Sequence, residues 1–213
     1  RLTDKGNTDM LKTILLGAAL LAVPALGFAQ SAPPPPNSNP ADVQPGAYTV
    51  EPTHTRLLFS VSHMGFTTWY GEFTNISGSL TLDPKSLASS TLDIVIPAHT
   101  ISTSNTKLDG ELNSPAWFDT AKYPTITFKS TKIVRTGHDT AKVYGDLTFH
   151  GVTQPEVLSV TFNAAGTNML THQYTAGFNA TAEIKRSAFK QTTYVPVIGD
   201  DVSLMISAAF VKP

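Results

Sequence analysis

The sequence predicts an all-β chain: eight or nine antiparallel strands closed into a barrel, with one short helical connection. Three observations carry that expectation. Apolar and polar residues alternate with a two-residue period over nearly all of residues 48–210, as a strand with one buried face requires. Turn residues punctuate the alternation. The period fails over one long stretch, His99–Asp119, where Leu108 and Leu112 stand at helical spacing. So many half-buried strands must hide their edges by closing on themselves or by pairing as a sandwich. Strands of about ten residues favour the eight-stranded barrel, whose interior holds side chains or one slender ligand.

The stretch Tyr48–Gly71 begins the pattern. Leu57, Phe59 and Val61 alternate with Arg56, Ser60 and Ser62, while Leu58 falls on the polar side. His63 continues the row and Gly65 breaks it. Trp69 and Phe73 then flank Gly71, so this is the first long hairpin. Ile76, Gly78, Leu80 and Leu82 form the next inward row, and Asp83-Pro84-Lys85 turns the chain. Leu92, Ile94 and Ile96 follow, ended by Pro97. Asn105 or Ser104 caps the helix, about residues 104–114, and Pro115 ends it. Trp117 and Phe118 plug one end of the core.

Strands resume with Ile126 and Phe128, then with Val143, Gly145, Leu147 and Phe149. His150-Gly151, with Pro155 just beyond, is a turn signal. Leu158, Val160 and Phe162 make the next row. Ala176, Phe178, Ala180, Ala182 and Ile184 give the longest alternation, and Val202, Leu204, Ile206, Ala208 and Phe210 close the set. No inward position in these rows carries a charge.

Composition narrows the function. Charged residues are 15% of the 213, against roughly 25% in an average soluble protein. A net charge of −1 supplies no field to recruit nucleic acid or an anionic membrane. With no cysteine, disulfides, thiolate metal sites and cysteine catalysis are excluded. The six histidines show no HxH, HxxxH or HExxH spacing, so no metal site is expected. GxSxG, GxGxxG and P-loop patterns are absent. Asp83, Asp93, Asp119 and Asp146 sit at strand ends or outward positions, where carboxylates are simply solvated. No catalytic residue is assigned.

At the N-terminus, Met10-Leu11-Lys12, the apolar run Ile14–Val23, Pro24 and Gly27-Phe28-Ala29 follow the order of a cleaved signal peptide. The run is too short to span a bilayer comfortably. Residues 1–29 are therefore read as an upstream extension, starting properly at Met10, plus that signal. Residues 30–46 are read as a proline-rich linker that buries nothing, and 47–213 as the folded domain.

The run PTHTRLLFSVSHMGF, Pro52 to Phe66, resembles the opening motif of the YceI family of exported bacterial lipid-binding proteins. Three later stretches fit the same family in order. They are WFDTAKYP at Trp117–Pro124 with Ile126–Ser130, GDLTFHGVT at Gly145–Thr153, and Gly177-Phe178 leading to Arg186-Ser187-Ala188-Phe189. The resemblance covers Tyr48 to Val211. It implies a lipocalin-like barrel, exported to the periplasm, with a polyisoprenoid such as an isoprenoid quinone or polyprenyl phosphate as cargo. It implies neither enzymatic activity nor a catalytic cofactor.

The inward rows would then line a tunnel. The first hairpin and its neighbours supply Leu57, Phe59, Val61, Trp69, Phe73, Leu80, Ile94 and Ile96. The later strands supply Ile126, Phe128, Leu147, Phe149, Val160, Phe178, Ala180, Ala182, Leu204 and Ile206. His63, at the end of its row, is the head-group candidate. Beyond the lipid, a transient membrane contact and a homodimer are compatible partners; nucleic acid is not. One departure stands out: Phe189-Lys190-Gln191 replaces the family's usual Phe-Gly. Two alternatives stay open, a fully packed barrel serving as an interaction module and an enzyme acting on the bound lipid.

Export with cleavage between Ala29 and Gln30 is the first testable consequence. N-terminal sequencing of periplasmic protein checks it, and a mature chain retaining Leu15–Leu21 would refute it.

Overall fold

The structure, a computed structural model, describes residues 34–213. The expected signal segment and its cleavage point lie outside the described residues. The alternating segments form β1 (Gly46–Val50), β2 (Arg56–His63), β3 (Thr67–Phe73), β4 (Ser77–Leu82) and β5 (Thr91–Pro97). After the helix α1 (Thr106–Asn113) come β6 (Thr125–Arg135), β7 (Thr140–Phe149), β8 (Val152–Thr167), β9 (Tyr174–Lys185) and β10 (Ile198–Val211). All pairings are antiparallel, in the order β1-β4-β5-β6-β7-β8-β9-β10-β2-β3, and β1 also pairs with β10.

The ten segments make eight staves, because β1 runs on into β2 and β3 into β4. One edge of β10 carries both halves of the first stave. Val202–Ser207 pair with β2, and Phe210 and Val211 pair with Val50 and Thr49 of β1. Threonine hydroxyls bridge the two interruptions. Thr55 is 2% exposed, and its hydroxyl accepts from the Ala209 amide at 3.1 Å where the β1–β2 gap leaves that amide without a strand partner. The Thr100 hydroxyl accepts from the Thr74 amide between β3 and β4 at 3.2 Å. Buried amides are thus paired where the ladder stops.

Helix α1 occupies the connection where the two-residue period fails. Asn105 caps it, its side chain accepting from the Lys107 and Leu108 amides at 3.2 Å each. Leu112 and Trp117 are buried. Phe118 meets Phe149 edge-on at 5.1 Å and stacks on Phe73 at 6.2 Å. These side chains plug the barrel end that carries the β2–β3 turn.

Two expectations need correction. Within residues 34–46, the proline-rich stretch is not a spacer that buries nothing. Asn37 and Ala165 exchange backbone hydrogen bonds, both at 2.8 Å, and Val43 is 4% exposed. The compact unit accordingly begins at Pro34. A run of prolines still leaves Asn37 and Val43 free to pair and pack.

Pro155, read as part of a turn, lies inside β8 opposite Asp146. The reversal is confined to His150 and Gly151, both at positive φ (50° and 71°), as a two-residue hairpin turn requires. Proline fits there because β8 before Ser159 pairs with β7 and not with β9.

Glycine has opposite roles at two positions. A Cβ at Gly145 of β7 would lie 2.4 Å from Phe128 Cζ and 2.5 Å from the Lys129 carbonyl oxygen. At Gly110, on the exposed face of α1, it would meet nothing within 4 Å. Gly145→Ala should therefore lower stability by about 1–3 kcal/mol through overpacking. Gly110→Ala should raise it by about 0.8–1 kcal/mol through helix propensity. Chemical denaturation of the two variants checks both signs.

Candidate functional site

The inward rows do not meet in the middle of the barrel. They surround a cavity of about 320 Å³, roughly ten times the ~30 Å³ that one water occupies in the liquid. A close-packed interior leaves few voids larger than a water molecule. The wall itself shows the same hollowness. Leu57, Phe59, Val61, Phe178, Ala182, Leu204 and Ile206 point inward yet remain only half-buried.

Of the residues predicted to line a tunnel, all but Trp69 border this cavity. β2 contributes Leu57, Phe59 and Val61, and β3 contributes Phe73. Leu80, Ile94 and Ile96 come from β4 and β5, while Ile126, Phe128, Leu147 and Phe149 come from β6 and β7. Val160, Phe178, Ala180, Ala182, Leu204 and Ile206 complete the predicted set from β8, β9 and β10. Trp69 and His63 lie outside it. They continue the inward parity of β3 and β2 past the end of the cavity, where their rings face each other at 5.5 Å. The structure brings no cavity wall to His63.

The cavity has a mouth at one end of the barrel. Among its lining residues, Arg135 and Asp139 alone are exposed, which puts the opening at the β6–β7 turn. The Arg135 guanidinium donates to the Pro84 carbonyl at 3.1 Å, holding that turn against the Asp83–Ser90 loop, whose Pro84, Leu87 and Ser90 also line the cavity. The opposite end is closed by Leu112, Trp117 and Phe118, with Arg186 and Gln191 beside them.

The expectation that no inward position is charged fails at Glu156 and Arg186. Glu156 shares the parity of Leu158 and Val160, but with Pro155 counted towards the turn the row starts at Leu158 and leaves it out. Burial pushes its carboxyl pKa up, and it makes no ion pair among the described residues. Arg186 is 7% exposed; burial pushes its pKa down, and the charge of Asp200 opposes that shift. Gln191 was missed as well. The available signal was the Arg186–Phe189 motif, since an arginine within an otherwise apolar pattern must find buried acceptors. Lys190, where the family motif has glycine, adopts the left-handed conformation itself at φ 61°, so the turn that positions Gln191 is preserved.

Comparison with known proteins points one way. The model of the YceI-like domain matches residues 48–210. A protein of Yersinia pestis, named only as a UPF0312 protein, is 33% identical over 162 residues, 76% of this chain and 83% of that one. The crystal structure of a Campylobacter jejuni YceI protein superposes with a TM-score of 0.64 at 28% identity, over 71% of this chain and 90% of that one. A polyisoprenoid binding domain from Saccharophagus degradans superposes with a TM-score of 0.60 over 80% of this chain and all of that one. At 16% identity, this last similarity is one of fold.

Glu156 makes the wall sensitive to pH. Its pKa is raised in the folded state by burial, so stability is lost as pH climbs from the ordinary carboxyl pKa through the raised one and is constant above it. Glu156→Gln should match the wild type at low pH, where the carboxyl is protonated in both states, gain on it as pH rises through the carboxyl range, and hold a constant lead once the raised pKa is passed. Paired denaturation curves across that range check it; a difference that is the same at every pH would show that the carboxyl is not desolvated.

Proposed function

The chain belongs to the YceI-like family, and on that premise we propose that it is a periplasmic binding protein. Its cargo is an apolar polyisoprenoid, an isoprenoid quinone or polyprenyl phosphate, which it stores or carries inside the barrel. The observation that carries the reading is the cavity, some 320 Å³ within an almost wholly apolar wall that opens at the β6–β7 turn. Ligand pockets begin at about 300 Å³, so a tail fills this one and a longer tail extends through the mouth. A tail burying several hundred Å² gains on the order of 10 kcal/mol at about 25 cal/mol per Å². Immobilisation offsets much of that, and the binding that remains is reversible, as carriage requires.

Other features support the same reading. The structural relative from Saccharophagus degradans is itself described as polyisoprenoid-binding. The Met10–Ala29 pattern supports export to the periplasm. Cargo of this kind exchanges with a membrane, which makes membrane contact transient. Neither the motifs nor the cavity wall offers a nucleophile with a base beside it, so the chain binds its lipid without transforming it.

Native mass spectrometry of protein purified from a bacterial periplasm tests the proposal: a co-purified apolar mass is expected. Ala180 sharpens the test, since it lines the cavity from β9 while its neighbour Asn179 faces solvent. Ala180→Trp should leave delipidated protein folded but carry less long-chain lipid, and Asn179→Trp should change neither property. A large loss of stability in delipidated Ala180→Trp, or an unchanged long-chain cargo, would overturn the proposed tunnel.

A further inference from the structure

The closed end of the cavity holds two polar side chains that an apolar tail does not require. Arg186 and Gln191 are 7% and 3% exposed, and both border the cavity. Three backbone carbonyls fix the guanidinium. Nε donates to Gly199 at 2.8 Å, Nη1 to Gln191 at 2.9 Å and Nη2 to Ile198 at 2.9 Å. The Trp117 ring lies 5.9 Å from its central carbon. A guanidinium has five N–H groups, so two remain for a further acceptor. Among the described residues no carboxylate forms an ion pair with it.

Gln191 is oriented just as firmly. Its amide nitrogen Nε2 donates to the Trp117 carbonyl at 3.0 Å. That carbonyl can only accept, so the amide cannot be turned the other way round. Oε1 therefore points elsewhere, and it is buried without a hydrogen-bond partner. The backbone locks the pair, because the Gln191 amide donates to the Arg186 carbonyl at 3.0 Å while Arg186 Nη1 donates back to the Gln191 carbonyl. The result is an unpaired acceptor and a cationic donor on two residues tied together by their backbones, both bordering the inner end of an apolar tube.

We propose that Arg186 and Gln191 seat the head group of the cargo, and that the head group carries a hydroxyl, as an alcohol or a phenol. The proposal rests on the lipid-binding reading above and narrows its cargo, setting the prenyl alcohol or the quinol in place of the oxidised quinone and the phosphate. A hydroxyl meets both demands at once: its O–H donates to Gln191 Oε1, and its oxygen accepts from an unused N–H of Arg186. A quinone carbonyl or a fully ionised phosphate accepts from Arg186 but sets a second acceptor against Oε1. The site therefore favours a prenyl alcohol or a quinol over the oxidised quinone or the phosphate. The cargo enters head first, and its tail runs towards Arg135 and Asp139.

The test uses delipidated full-length mature protein and three probes with one fifteen-carbon prenyl tail: farnesol, farnesyl methyl ether and farnesal. The ether and the aldehyde keep an acceptor oxygen but lack the O–H, and the aldehyde is no bulkier than the alcohol. Farnesol should bind at least about 10-fold tighter than either. In Gln191→Met the preference should shrink to about 2-fold or less, with ether affinity retained. Equal binding of all three probes by the wild type would overturn the hydroxyl seat and leave the lipid-binding reading standing. So would a preference that survives in Gln191→Met. Binding of none of the three would overturn both. If the variant fails to fold, the wild-type comparison of the three probes decides alone.

Discussion

A barrel whose middle is empty depends on closure of its hydrogen-bond ring. The hollow forgoes the dispersion and burial that a packed centre would contribute, so the wall must be complete without it. β10 supplies that completeness. It pairs with β9 along one edge and with both β2 and β1 along the other, so the seam where the sheet closes on itself is paired; between β8 and β9 the ladder starts only at Ser159. The threonine bridges at Thr55 and Thr100 serve the same requirement where a stave is broken. Packing is concentrated at the ends instead. Trp117, Phe118, Phe149 and Phe189 gather at one, and Tyr48, Val50, Ala176 and Phe210 at the other.

That arrangement explains what the sequence could and could not reveal. A two-residue period reports which face of the sheet a side chain occupies, and for Leu57, Phe178 and Leu204 the inward face is the cavity face. Periodicity says nothing about height along the barrel. Trp69 and His63 have the parity of their rows but lie past the end of the cavity, so their alternation could not exclude them. Glu156 was hidden for a different reason. Proline usually ends a strand, and only the one-sided pairing of β8 lets Pro155 sit within it. The packing of Asn37 and Val43 depends on a partner, Ala165, more than a hundred residues away.

The polar residues of the interior fall into two kinds. Arg135 and Asp139 mark the mouth, where charge is solvated and needs no partner. Arg186 and Gln191 mark the closed end, where every polar atom must be accounted for. Glu156 sits in the wall between these regimes, where partial burial pushes its carboxyl pKa up. An interior otherwise lined by aliphatic and aromatic side chains is therefore polarised along its length, and a ligand with one polar end meets a directional environment.

A tube closed at one end also constrains kinetics. Leu112, Trp117 and Phe118 leave no straight way through, so what enters past Arg135 is stopped at the far end and backs out along the path it came by. Release cannot be hastened by a newcomer pushing from behind, as it can in a pore open at both ends. Occupants are exchanged one at a time, and residence time is set by how fast the innermost contacts let go. Changes at the closed end would then act on dissociation, and changes at the rim would act on how often entry succeeds.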